Sequence, residues 1–131
     1  MKIKLYPADS LFSNLIRERD NWTCQRCGKK YEPPTNSLQC SHFWGRGNKG
    51  SRFLPENCDA LCYGCHARWE GNKQGEYRDW KLQQLGEDGY ARLEKRARES
   101  IKFGKWEFDR IHKIIKDNGL IDPYPLLYVD N

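Results

Sequence analysis

Apolar positions along the chain recur at two spacings, and the spacings divide it into elements. Over residues 9–20, Leu11, Phe12, Leu15 and Ile16 fall on one face of a helix that Asp9 or Ser10 is placed to cap. Over residues 38–43 the period drops to two, with Leu38, Cys40 and His42 on one side and Gln39, Ser41 and Phe43 on the other, which predicts a short strand. Glycines 45, 47 and 50 mark a hairpin loop, and residues 51–54 are expected to return as a second strand. A helix starting at Asp59 or Cys62 should carry Cys65 and His66 and end near Gly71. Three more helices follow: residues 74–85 with Tyr77 and Trp80, stopping at Gly86; residues 87–102 with Tyr90, Leu93, Ala97 and Ile101; and residues 106–117 with Phe108, Ile111, Ile114 and Ile115, closed by Asn118-Gly119. The tail from Ile121, broken by Pro123 and Pro125, is expected to dock on the body or on a partner chain.

These elements predict one α+β domain over residues 1–131: two short strands and a helix, flanked by N- and C-terminal helices. A 131-residue chain that is 31% charged, with mean hydropathy −0.97, holds only a modest core and calls for reinforcement beyond apolar burial. No segment approaches the roughly 20 apolar residues of a membrane span, and the first ten residues lack the apolar stretch of a secretory signal. A cytoplasmic protein is therefore expected, in which six cysteines act as metal ligands or small buried groups more readily than as disulfides.

The cysteines supply the reinforcement. Cys24 and Cys27, then Cys62 and Cys65, are two Cys-x-x-Cys pairs, each able to grip one edge of a tetrahedral ion; this predicts a structural Zn²⁺ with no open coordination position. Cys40 and Cys58 lack such partners and read as small buried apolar side chains, with Cys58 in place of Cys62 the alternative ligand. Charge adds a second constraint. The segment from Cys24 to Arg52 holds six basic residues and one acidic residue, a net of +5 that equals the net of the whole chain. A basic stretch beside a metal knot suits a polyanion, and nucleic acid is the commonest.

His42 stands inside that segment and Asn57 and His66 follow it, in the order Cys-x-x-Cys, His, Asn, Cys-x-x-Cys-His. This order resembles the HNH endonucleases, whose fold is the ββα-metal or His-Me finger, over about residues 17–70. The segment from Ser41-His42-Phe43 and Arg46 through Asn57 to His66, with the helix end Trp80 to Gly86, is also similar to the phage recombination nucleases of the lambda NinG (Rap) type. The resemblance implies a small zinc-bound ββα-metal core with a C-terminal helical extension over about residues 72–131. It implies DNA as the substrate, in recombination or other DNA processing. His42 corresponds to the general base, His66 to a ligand of a catalytic divalent ion (Mg²⁺, Mn²⁺ or another), and Asn57 to the residue bracing the base or the metal loop. Phosphodiester hydrolysis needs those types: a neutral imidazole to take a proton from water near neutral pH, and a cation to offset charge on the phosphate and the departing 3′ oxygen. Many members of that family carry aspartate directly before the base, where this chain has Ser41; Glu56 and Asp59 are the nearby acidic candidates.

Arg46, four residues beyond His42, is placed to clamp the scissile phosphate, with Lys49 and Arg52 along the adjoining backbone. Trp44 is expected to stack on bases or to pack in the core. The reading is thus a metal-dependent endonuclease acting on DNA, as monomer or homodimer, in the host cytoplasm if phage-encoded. Two rivals use the same residues differently. One is a non-catalytic zinc-stabilised nucleic-acid-binding module; the other, a redox or zinc sensor, needs neither Asn57 nor the basic loop.

Overall fold

The structure, a computed structural model, describes residues 3–129. Helix α1 spans Pro7–Arg19, with Phe12 and Ile16 buried on the face that the apolar spacing picks out. Its cap lies earlier than the sequence suggested. Tyr6 is the N-cap, and Asp9 sits within the first turn, where its carboxylate accepts the Tyr6 backbone N–H at 2.8 Å. At the other end Arg19 donates to the carbonyls of Pro55 (2.8 Å) and Cys58 (2.6 Å), while Asp20 accepts the Ala60 N–H at 2.8 Å, stapling the helix to the second strand.

Strands β1 (Leu38–His42) and β2 (Cys58–Cys62) pair antiparallel, with Leu38 opposite Cys62 and His42 opposite Cys58. The second strand is therefore not at residues 51–54. Those four residues are all buried in the connection between the strands, so they do not alternate as a half-exposed strand would. Arg52 fixes them there by donating to both Asp9 oxygens (2.9 and 2.8 Å) and to the Lys4 carbonyl (2.8 Å). The true β2, Cys-Asp-Ala-Leu-Cys, is buried on both faces and carries no period-two signal. The glycine-rich connection is also no free hairpin tip: a Cβ on Gly50 would overlap the Arg96 carbonyl, so the loop lies against the backbone at Arg96.

Helix α2 (Tyr63–Glu70) follows β2 directly and ends at Gly71. Helix α3 runs Gln74–Arg98 and is broken at Gly86 (φ 73°, ψ 169°), where the sequence divides two helices; it stops four residues short of the expected end. Helix α4 (Lys105–Asn118) ends at Gly119 and packs on α1. The tail docks on the body: Leu127 is buried, and the Tyr124 hydroxyl accepts the Phe53 N–H at 3.0 Å while donating to the Lys49 carbonyl at 2.5 Å.

The strands contribute to two apolar clusters. Phe12, Ile16, Phe53, Phe108, Ile111 and Ile115 fill the α1/α4 side, joined by Cys40 and Cys58. Leu38, Ala60, Leu61, Trp69 and Tyr77 fill the other, around Cys24 and Cys65. Among the described residues no helix is long and apolar enough to cross a membrane.

Candidate functional site

The four cysteines of the two Cys-x-x-Cys pairs come together as expected. The sulfurs of Cys24, Cys27, Cys62 and Cys65 lie within 4.8 Å of one another, and those of Cys27 and Cys62 are 3.9 Å apart. A tetrahedral Zn²⁺ with Zn–S distances of about 2.3 Å has S–S edges of about 3.8 Å, so the set fits that ion. Gly28 (φ 81°) turns the chain back after Cys27, in a region of backbone conformation that glycine favours. The Cys27 N–H points at the Cys24 sulfur (3.5 Å), and Arg26 donates to Cys65 (3.5 Å) while pairing with Glu76 (2.8 Å). Burial opposes ionisation of Cys24, yet backbone N–H groups of Cys27, Cys62 and Arg26 bring its thiol down to about 7. Burial pushes the Cys65 thiol up to about 12, with the sulfurs of Cys62 and Cys24 adding to the rise. Four thiols this close do not all ionise on their own, and a divalent cation removes the conflict. Cys58 takes no part in this cluster.

His42 closes β1 and His66 rides α2 one residue after Cys65, so a single helix serves the cysteine cluster with one side chain and a cavity with the next. Both histidines line the same cavity of about 270 Å³, with Cys40, Arg46 and Glu70 in its wall. A larger cavity of about 730 Å³ adjoins, bounded by His42, Glu70, Phe43, Trp44, Tyr77 and Tyr90. His42 Nε2 donates to the Arg52 carbonyl at 3.2 Å, which leaves the ring's lone pair on Nδ1. Burial, reinforced by the charge of Arg46, drives its pKa down to about 3, so the imidazole is neutral throughout the physiological range. His66 is held between the Gln39 side-chain amide (2.7 Å from Nδ1) and the Glu70 carboxylate (2.7 Å from Nε2). His66 and Glu70 thus present an imidazole and a carboxylate side by side on α2, two groups able to bind a divalent cation in place of their hydrogen bond.

No protein-family model, curated protein or solved structure matches this chain. The site is therefore read on its own residues, and several differ from expectation. Asn57 is buried and does not touch the imidazole: its Oδ1 accepts the Trp44 N–H (2.8 Å) and its Nδ2 donates to the Trp44 carbonyl (2.9 Å). It braces the backbone just past His42, and the Arg52 carbonyl holds the ring. Arg52 itself is 2% exposed and committed to Asp9, so its guanidinium is structural and does not reach a substrate. Lys49 is half-buried, donating to the Phe103 carbonyl at 3.4 Å. Asp59 is sealed on the opposite face of the strand pair, 2.8 Å from both Lys81 Nζ and the Tyr77 hydroxyl, and Ser41 meets that hydroxyl at 3.2 Å. Neither is available to an ion in the histidine cavity, and exposed Glu56 lines neither cavity. Trp44 is half-buried, with Arg98 over its ring at 5.5 Å.

Arg46 is where the sequence places it, on the histidine cavity, with Ser13 Oγ at 3.5 Å. Two residues were not singled out. Glu70 is four positions beyond His66 on one helix, a spacing that the sequence carries. Arg17, from α1, lines a neighbouring cavity of about 370 Å³ with Arg46, Gln39 and His66. Arg46 Nε lies 4.0 Å from Asp9 Oδ1, and the Nε atoms of Arg17 and Arg46 are buried without a hydrogen-bond partner, so two guanidiniums stand beside the histidines with only part of their donors used.

Proposed function

We propose that this chain is a zinc-braced HNH (ββα-metal) endonuclease that hydrolyses DNA phosphodiester bonds, of the kind that serves phage recombination or DNA processing. The observation that carries the reading is that His42 from β1 and His66 from α2 share one cavity with Arg46 and Glu70, while a four-cysteine clamp ties α2 and the end of β2 to the Cys24–Cys27 turn. His42 takes a proton from the attacking water through its free lone pair. Burial is the main cause of the ring's low pKa and Arg46 adds to it, so a phosphate that neutralises Arg46 removes part of the restraint as it arrives. Arg46 and Arg17, which line the cavities around the histidines, meet the phosphate through their guanidiniums, whose fork suits phosphate oxygens. Asn57 keeps the backbone after His42 in place. A divalent cation such as Mg²⁺ or Mn²⁺, held by His66 and Glu70, supplies positive charge to the phosphate and the departing 3′ oxygen. The products carry a 5′ phosphate and a 3′ hydroxyl.

The competing reading is a zinc-stabilised module that binds nucleic acid without cutting it, and the basic residues around the cavity favour it equally. Supercoiled plasmid separates the two. The nuclease nicks it with Mg²⁺ and stops when EDTA is added, while a binding module retards DNA in a gel and leaves it supercoiled under every condition.

A further inference from the structure

Cys40 and Cys58 are absorbed by neither the zinc clamp nor the proposed chemistry, yet the fold sets them beside His42. Side chains at positions 40 and 42 share one face of β1, and Cys58 is the register partner of His42, so all three project on the side facing α1. A ring nitrogen of His42 and the two sulfurs lie within 4.8 Å of one another. Cys58 is fully buried and Cys40 is 7% exposed, while Cys40 and His42 also form part of the wall of the 270 Å³ cavity.

We propose that Cys40, His42 and Cys58 form a second metal site, separate from the four-cysteine clamp, which takes Zn²⁺ or a similar thiophilic divalent ion and thereby withdraws His42 from catalysis. The inhibitory part rests on the nuclease reading; the site itself does not. Two thiolates and one imidazole select zinc over Mg²⁺, which prefers oxygen ligands, so this ion differs from the one expected at His66 and Glu70. Binding exchanges two S–H bonds for two Zn–S bonds and releases two protons to solvent. The two thiolates cancel the charge of the ion, so no net charge is buried. Three protein ligands leave a fourth position facing the cavity, the arrangement of an accessible zinc and unlike the closed four-sulfur set. The lone pair that binds the ion is the one a general base needs, so occupancy and catalysis exclude each other.

The test is metal stoichiometry by native mass spectrometry of the full chain titrated with Zn²⁺, followed by Co²⁺ substitution and thiolate-to-cobalt absorption. The wild type should take two equivalents per chain. Cys58→Ala should keep the first and bind the second more than about 100-fold more weakly. Cys40→Ala should do the same, which keeps the result secure if either variant folds poorly. Zinc beyond the first equivalent should suppress plasmid nicking in Mg²⁺ for the wild type and spare Cys58→Ala. A single equivalent in the wild type, or a second one that survives both substitutions, overturns the site. Two equivalents in a protein that never nicks DNA uphold the site and remove the nuclease reading instead.

Discussion

The two ends of the strand pair use the same donor chemistry to opposite effect. At the Leu38/Cys62 end, two Cys-x-x-Cys turns bring four sulfurs into a closed tetrahedron. At the His42/Cys58 end, roughly 13 Å away along strands of this length, two sulfurs and an imidazole gather beside an open cavity. β2 starts with a cysteine of one set and ends with a cysteine of the other. The difference is between a closed set of donors and an open one. Four soft ligands are enough to saturate an ion and lock the turn, strand and helix that carry them. The incomplete end keeps a lone pair and two guanidiniums beside a cavity of about 370 Å³.

The largest expected effect falls at the closed end. Cys62→Ser should abolish folding, because the binding free energy of a structural zinc, about 10–16 kcal/mol in small zinc domains, is folding free energy; loss of far-UV circular dichroism and of one bound zinc checks it. The open end should respond in the other currency. Arg46→Ala should leave the melting temperature within a few degrees and lower DNA cleavage by at least about 10-fold, with Arg17→Ala following in the same direction; each should also reduce the magnitude of the salt-dependence slope for DNA binding by about 0.9. An Arg17→Ala variant with unchanged slope would take that residue off the phosphate.

A buried ion pair lies on the other face of the strands. Lys81→Met leaves the Asp59 carboxylate buried without its cation, and chemical denaturation should register about 3–5 kcal/mol of lost stability. The smallest expected effect near neutral pH, growing only in acid, is a pH dependence at His42. Its pKa is depressed in the fold to about 3 from the ordinary 6.5, so the unfolded chain takes up a proton that the native one refuses. Stability from this group is complete above about pH 6.5 and falls as pH drops toward 3, by up to about 1.4 kcal/mol per pH unit. His42→Phe should flatten that part of a stability–pH curve, and an unchanged slope would assign the acid sensitivity to other groups.

The closed end was legible in the sequence because its signal is local: two Cys-x-x-Cys pairs with Gly28 behind the first. The helices were legible for the same reason, and Gly86 and Gly119 mark breaks that the backbone confirms. The open end was legible only in part. His42, His66 and Arg46, which the sequence singles out, line one cavity, and Glu70 follows at helical spacing. Arg17 carries no signal, since α1 meets the site only through tertiary packing. β2 was misplaced because burial on both faces erases alternation, while the glycines at 45, 47 and 50 read as a hairpin turn that points to residues 51–54 as the returning strand. Arg52 looked like a substrate contact until Asp9, distant in sequence, proved to be its partner.

The central claim is that the open end does chemistry while the closed end only holds it in place. Plasmid nicking by His42→Ala, measured in Mg²⁺ beside the wild type with zinc content and circular dichroism recorded on the same samples, tests it most directly. The account predicts a nicking wild type and a variant with the same clamp zinc and the same spectrum, but a rate lower by about 10²- to 10⁴-fold. A folded, zinc-loaded variant that nicks as fast as the wild type would contradict it.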